Sequence, residues 1–109
     1  MKDKNNMLIS ELVGEIMYRS LRRTVIKVID GDTVQVARKI GKTNIIRLSG
    51  YDAPERYQRG YQESKNMLRN MIGGKTVTIR PETRDCYNRI VATVIHNRKN
   101  INRRMREII

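Results

Sequence analysis

Tryptophan and phenylalanine are absent from the 109-residue chain, and five tyrosines are its only large aromatic residues. A hydrophobic core must therefore be aliphatic, and a chain of this length can bury one modest core. The single cysteine, Cys86, excludes an internal disulfide and a cysteine-cluster metal site. We expect a single globular domain.

Long apolar runs are also missing. No segment approaches the roughly 20 residues that span a membrane, so we expect no membrane partner. The opening stretch MKDKNNMLISELVGEIMYRS is unlike a secretory signal, because Glu11 and Glu15 interrupt its apolar positions. We therefore expect a cytoplasmic protein by default, with a secreted form as the alternative.

Acidic residues are scarce beside basic ones, since 11 Asp and Glu face 23 Lys and Arg for a formal net charge of +12. A small domain this basic favours an anionic partner. Nucleic acid is the first candidate, ahead of an acidic protein or an anionic membrane. A solvated surface kept for solubility is the alternative interpretation.

Apolar spacing divides the chain into two parts. In residues 1–23, apolar positions from Leu8 to Met17 share one helical face, which predicts an amphipathic helical extension. This helix would pack on the domain or form a homodimer with a second copy. From Thr24 onward the period changes to that of β-strands.

Residues 24–109 predict a mainly β, α+β domain. Five β-branched runs (TVIKVI, TVQVARKI, TNIIRLSG, KTVTIR and RIVATVIH) predict strands, ESKNMLRNMI a helix between the third and fourth, and NRKNINRRMREII a short C-terminal helix. This element order is that of the oligonucleotide/oligosaccharide-binding (OB) barrel, whose groove typically holds single-stranded nucleic acid.

Carboxylates stand out on so basic a chain. In VIDGDTVQV, Asp30 and Asp32 flank a glycine that permits a tight turn, so the two acids can converge, although DGD alone is typical of a plain hairpin turn. A second acidic pair, Asp52 and Glu55, lies in IRLSGYDAPE. Oxygen ligands without His or Cys suit Ca²⁺ or Mg²⁺ rather than zinc, and Glu55 would be left to handle a water.

Two arginines occupy strand ends near these acids. Arg47 ends a predicted strand in IRLSG, and Arg89 begins one in DCYNRIV. Guanidinium groups present paired donors to phosphate oxygens, so the two side chains are candidates to clamp a phosphate and its transition state. The alternative is that each arginine pairs with a nearby acid.

VIDGDTVQV, IRLSGYDAPE and DCYNRIVA together resemble motifs of the thermonuclease (staphylococcal nuclease-like, SNase-like) family, in the family's order, from about Thr24 to the C-terminus. The resemblance implies a Ca²⁺-dependent nuclease that cuts single-stranded DNA or RNA endonucleolytically and leaves 3′-phosphate ends. It implies one Ca²⁺ ion, with Mg²⁺ a weaker candidate. A non-catalytic nucleic-acid-binding OB-fold module is the alternative function.

The resemblance also implies residue roles. The Ca²⁺ ligands would be Asp32, Asp52 and the backbone carbonyl of Ala53, where threonine is usual, with Asp30 in support. Glu55 matches the general base, and Arg47 and Arg89 match the arginines on the scissile phosphate. Tyr87 matches a tyrosine near the terminal phosphate. Apart from the resemblance, we also predict that Arg84 and Arg98 bind the substrate.

Overall fold

The computed structural model describes residues 20–108. The predicted helix from Leu8 to Met17, and a homodimer formed through it, lie outside the described residues. The elements in chain order are β1 (Leu21–Asp30), β2 (Thr33–Ile40), β3 (Thr43–Leu48), α1 (Tyr61–Ile72), β4 (Thr76–Arg84), β5 (Ile90–His96), β6 (Lys99–Asn100) and α2 (Ile101–Ile108). Neither helix in this part of the chain is long and apolar enough to cross a membrane.

The strands close into a barrel. The sheet order is β3-β2-β1-β4-β5-β6, and β3 also pairs with β5. This closing pair is parallel, with Ile46 beside Ile90 and Leu48 beside Ala92. The other strand pairs are antiparallel. The prediction of a five-stranded OB barrel with a helix between strands 3 and 4 is therefore confirmed.

Two details differ from the sequence-based expectation. Strand β1 begins at Leu21 rather than Thr24 and pairs there with the first half of β4. After β5, the chain turns at Asn97 and Arg98 and forms the two-residue strand β6. A strand of two residues is too short to show a periodic pattern, so only the helix that follows it was predicted.

The barrel interior is aliphatic. Apolar side chains from β1 to β5 meet Leu68 and Ile72 of α1 and Met105 of α2 at full burial. Met67 and Met71 are partly buried against the same core. Helix α1 thus packs against the barrel core and stands directly behind the turn between β1 and β2, where Ser64 is buried as well.

A buried asparagine attaches α2 to the barrel. Asn102 is 2% exposed, and its Oδ1 accepts a hydrogen bond from the Val94 N–H at 2.9 Å. Its Nδ2 donates to the backbone carbonyls of Ser49 at 2.8 Å and Ala92 at 2.9 Å. One amide therefore satisfies backbone groups of β5 and of the segment that follows β3. That segment leads into the loop that carries Asp52 and Glu55, which we call the acidic loop.

We expect Asn102→Ala to be strongly destabilising. It leaves the Val94 N–H and the Ser49 carbonyl without this partner, while the Ala92 carbonyl still accepts a hydrogen bond from the Ser49 N–H at 2.9 Å. Each such group costs about 1–3 kcal/mol, so the free energy of unfolding should fall by roughly 2–6 kcal/mol. Thermal unfolding followed by circular dichroism measures the change. Asn66→Ala, at an exposed site on α1, is the matched control and should change stability by less than about 0.5 kcal/mol. Equal effects of the two substitutions would contradict this interpretation of Asn102.

Candidate active site

An open cavity of about 760 Å³ lies where the β1–β2 turn, the end of β3, the loop before α1 and the start of β5 meet. Its lining residues are Asp30, Asp32, Arg47, Asp52, Ala53, Pro54, Glu55, Gln58, Arg59 and Arg89. Every residue predicted to be catalytic or metal-binding lies on this wall, although these residues are far apart in sequence. Barrel closure brings them together, because β3 and β5 become neighbours.

Asp32 is the most buried acid of the cavity, at 9% exposure. Its Oδ2 accepts a hydrogen bond from the Ala53 N–H at 2.8 Å, and its Oδ1 accepts one from the Thr33 hydroxyl at 2.8 Å. Its backbone carbonyl accepts a further bond from the Leu48 N–H at 2.7 Å. The turn after β1 is thereby fixed to the segment that follows β3.

The glycine between the two aspartates is required for a different reason from the one predicted. Gly31 does not have a positive φ, so the turn is not the tight type that needs glycine for backbone conformation. Helix α1 instead passes so close that an added Cβ would lie 1.6 Å from Ser64 Oγ and 3.0 Å from the Ala53 Cβ. Glycine permits this contact, which holds the aspartates against the helix.

Arg47 is fixed by backbone as well as by acids. Its Nη1 donates to the carbonyls of Leu48 at 2.6 Å and Tyr51 at 2.8 Å. Its Nη2 faces Asp32 Oδ2 at 3.5 Å and is hydrogen-bonded to Asp52. The two carbonyls hold the guanidinium in place independently of what the carboxylates bind.

Arg89 is held by Asp85, which is not among the residues that line the cavity. The Arg89 Nε donates to Asp85 Oδ2 at 2.7 Å, while the backbone N–H groups of Tyr87 and Arg89 donate to Oδ1. Burial alone would raise the pKa of Asp85. The hydrogen bonds from the Arg89 backbone and side chain and from Tyr87 outweigh burial, so this pKa lies below its ordinary value.

The loop before α1 contributes two residues that the sequence interpretation missed. Gln58 and Arg59 line the cavity. The Gln58 side-chain Oε1 accepts a hydrogen bond from the Glu55 backbone N–H at 2.7 Å, and the Gln58 backbone N–H donates to the Glu55 carbonyl at 2.8 Å. A glutamine three residues after an acid is the one sequence signal for this reciprocal pair. The Glu55 carboxylate accepts no hydrogen bond within the described range.

Asp30 is held by another residue that had no predicted role. The Tyr61 hydroxyl at the start of α1 donates to Asp30 Oδ1 at 3.0 Å. Helix α1 therefore contacts the DGD turn both through Tyr61 and through Ser64, whose Oγ lies 3.2 Å from the Tyr51 hydroxyl. Nothing in the local sequence pattern indicates this pairing.

The three predicted substrate-binding residues lie outside the lining of this cavity. Tyr87 is 76% exposed, with its ring 5.3 Å from the Arg89 guanidinium carbon, so it stands at the cavity's margin. Arg84 is at the end of β4, close to Gly41 in the β2–β3 turn. Arg98 lies in the β5–β6 turn and lines a separate cavity.

The donor chemistry of the cavity bears on metal binding. Within residues 20–108, no group of three or more His, Cys, Asp or Glu side chains is close enough to hold a metal ion. Asp32 and Asp52 face the same nitrogen of Arg47, and the Ala53 carbonyl belongs to the adjoining residue. Such a set contains only oxygen ligands and fits a hard cation, with water and phosphate oxygens completing the coordination sphere. It does not fit a site in which the protein alone supplies every ligand.

Comparison with known protein families matches the part of the chain that carries most of the residues lining the cavity. A family model described as "Staphylococcal nuclease homologue" matches residues 45–107. That range begins in β3 and ends in α2, so it contains Arg47, the acidic loop and Arg89. The DGD turn lies before the matched range.

Similar proteins occur in bacteria and yeast. The chain is 37% identical over 81 residues to an "uncharacterized endonuclease" of Haemophilus influenzae, covering 74% of this chain and 46% of that protein. A protein of the same name from Escherichia coli is also 37% identical over 81 residues, covering 72% of this chain and 51% of that protein. A "probable endonuclease LCL3" of Clavispora lusitaniae is 40% identical over 57 residues, covering 47% of this chain and 24% of that protein. The chain spans about half the length of the two bacterial relatives.

Gly31→Ala should destabilise the protein through the contact with α1. Forcing an extra methyl group into a packed interior typically costs about 1–3 kcal/mol. Because about 1 kcal/mol shifts Tm by roughly 4–8 °C in a domain of this size, Tm should fall by several degrees. Combining the change with Ser64→Gly removes the contacted side chain and should restore part of the loss. A Gly31→Ala protein as stable as the wild type would contradict the proposed close approach.

The pH dependence of stability should reveal the Asp85 ion pair. The Asp85 pKa is lower in the folded protein than its unfolded value of about 3.9, so its stabilisation is complete above that value and lost as pH falls through the folded-state pKa. We expect the Tm difference between wild type and Asp85→Asn to be constant above about pH 5 and to shrink below about pH 4. A difference that does not change with pH would show that the charge of Asp85 contributes nothing.

Proposed function

Because the chain belongs to the staphylococcal nuclease homologue family, we propose that it is a nuclease that hydrolyses phosphodiester bonds of single-stranded DNA or RNA. The observation that carries this proposal is the cavity of about 760 Å³, which we call the active-site cavity. In it, Glu55 and three aspartates lie beside Arg47 and Arg89. Hydrolysis of a phosphodiester needs an activated water and fixed positive charge around phosphorus. The cavity combines both kinds of group.

The two arginines supply the fixed positive charge. Each guanidinium already has an internal partner that sets its position: two carbonyls for Arg47 and the Asp85 carboxylate for Arg89. Donors fixed before the reaction stabilise developing charge without reorganising when it appears. We assign both arginines to the oxygens of the scissile phosphate, where they would stabilise the additional charge of the five-coordinate transition state.

Glu55 is the proposed general base. It lines the cavity, and the hydrogen bonds with Gln58 fix its backbone while leaving its carboxylate available. A water bound between this carboxylate and the phosphate would transfer a proton to Glu55 as its oxygen attacks phosphorus. The bond from phosphorus to the 5′ oxygen then breaks, the leaving 5′ oxygen takes a proton from a solvent water, and the hydroxide so formed removes the proton held by Glu55. The other fragment keeps a 3′-phosphate.

We further propose that the reaction depends on Ca²⁺, with Asp32, Asp52 and the Ala53 carbonyl as ligands and Asp30 in support. When bound, a divalent cation would neutralise phosphate charge and orient the attacking water. The charge of the wall supports such a cation, because four carboxylates face only three guanidiniums, those of Arg47, Arg59 and Arg89. A phosphate would otherwise enter a cavity with an excess of negative charge.

The location of the active-site cavity also supports cleavage within a strand. The cavity is open, and both Tyr87 and Arg59 stand at or near its rim. An open site on a barrel surface can accept a strand that continues in both directions, which is what endonucleolytic cleavage requires. For the compartment, we propose the cytoplasm, with a secreted form as the alternative.

Glu55→Gln should reduce the rate of cleavage by about 10²–10⁴-fold, which is the usual contribution of a general base. The measurement is hydrolysis of labelled single-stranded DNA and RNA in Ca²⁺, Mg²⁺ or EDTA. Cleavage by the wild type should require Ca²⁺. Binding of the strand should change little, because glutamine is nearly the same size and the arginines remain.

Glu63→Gln is the matched control, because Glu63 is exposed in the first turn of α1 and is outside the lining of the cavity. It should cleave at the wild-type rate. Tight, salt-sensitive binding by the wild type without cleavage under any metal would refute the nuclease and identify a nucleic-acid-binding module instead. Cleavage that persists in EDTA would refute the cation requirement alone.

A further inference from the structure

A second cavity, of about 530 Å³, lies elsewhere on the barrel. It is formed by the start of β1, the start of β4, the end of β5 and the β5–β6 turn. Its lining residues are Arg22, Thr76, Thr78, Ile95, His96, Asn97 and Arg98. None of them lines the active-site cavity. We call this surface the Arg22–Arg98 groove.

The groove carries the chemistry of an anion site. Two arginines and two threonines line it, and none of its lining residues is acidic. The Thr76 hydroxyl also lies 2.9 Å from the Thr24 hydroxyl. Within the described part of the chain, neither Arg22 nor Arg98 forms an ion pair. His96 Nδ1 donates to the Thr76 carbonyl at 3.2 Å, which fixes the ring across the groove wall. Arginine forks and hydroxyl groups are typical donors to phosphate oxygens.

The backbone at Arg98 provides an independent argument. Asn97 and Arg98 connect β5 to β6 with φ of 50° and 65°, both in the left-handed region. Two-residue turns of this kind favour asparagine followed by glycine, because a side chain at the second position is strained. An arginine here costs stability that a glycine would not. Strained residues concentrate at functional sites, and Arg98 both has this conformation and lines a cavity, whereas Arg38 has a similar φ but lines neither cavity.

We propose that the Arg22–Arg98 groove binds backbone phosphates of the nucleic-acid strand whose other part enters the active-site cavity. The inference rests on the proposed function for the identity of the ligand. Strand β1 connects the two sites, since Arg22 lies near its start and Asp30 is its last residue, eight positions later. At about 3.3 Å per residue the separation is at most roughly 26 Å.

This separation sets the length of nucleic acid that contacts both sites. A strand stacked as in a duplex rises about 3.4 Å per nucleotide, so roughly eight nucleotides cover the distance, and a more extended single strand needs fewer. A strand of about three nucleotides can occupy the active-site cavity only. Affinity should therefore depend on length, and the groove should contribute only to the binding of longer strands.

The test is binding of fluorescein-labelled single-stranded DNA of about 20 and about three nucleotides to the full chain, by anisotropy in EDTA. For the longer strand, Arg98→Gly should weaken binding about tenfold and lower the slope of log affinity against log salt by about 0.7, as loss of one phosphate contact does. The same substitution should raise Tm by a few degrees because glycine relieves the turn. Arg22→Gln should weaken binding similarly, without the rise in Tm.

Arg38→Gly is a matched control. Arg38 is exposed, has a φ of 61° and lines neither cavity, so its replacement removes the same charge and relieves the same kind of strain. Its Tm should rise, while its affinity for the longer strand should change less than about twofold. Equal losses of affinity in Arg38→Gly and Arg98→Gly would show an effect of net charge alone and would overturn the proposal.

The remaining outcomes separate this inference from the proposed function. If wild type cleaves DNA and the groove variants bind the longer strand normally, the groove proposal fails and the nuclease stands. If wild type binds but never cleaves, while the variants lose affinity, the groove stands and the nuclease fails. A rise in Tm with inorganic phosphate that Arg98→Gly abolishes, without any dependence on strand length, would identify a site for free anions and overturn the proposal.

Discussion

The geometry of the candidate active site depends on the contacts of the Asp32 carboxylate. A carboxylate this buried is costly unless its oxygens are satisfied, and here the Ala53 N–H and the Thr33 hydroxyl satisfy them. The same contacts fix the β1–β2 turn to the loop after β3. Because Asp52, Ala53 and Glu55 follow along that loop, their positions are determined at Asp32. A change there would disturb the structure of the site as well as its chemistry.

Around this contact, the charged groups fall into two classes. Arg47 and Arg89 are held by carbonyls and by Asp85, so their positive charge is fixed in space before a ligand arrives. Asp52, with a side chain 91% exposed, and Glu55 project into solvent. Rigid cations and accessible acids match a reaction in which charge develops on phosphorus oxygens while a water loses its proton.

Much of this arrangement was predictable from sequence. Alternating β-branched residues located the strands, and acids in turns, between strand-end arginines, marked the residues that meet in the cavity. What sequence did not reveal depends on distant segments. The need for glycine at position 31 comes from Ser64 of α1, and the burial of Asn102 comes from unsatisfied backbone in β5. Likewise, the separation of Arg98 from the site follows from the β5–β6 turn. Local patterns carry no information on such contacts.

The distribution of charge indicates that a net charge of +12 would not by itself account for the proposed binding of a nucleic-acid strand. The active-site wall has more carboxylates than guanidiniums, so the positive excess lies outside it. Charges separated by more than about 10 Å are largely screened at ordinary salt concentrations. The excess can therefore steer a strand to the surface, but the local field at the cavity is set by its own acids. A strand that binds here must gain its affinity from neighbouring basic surfaces, from a cation among the acids, or from both together.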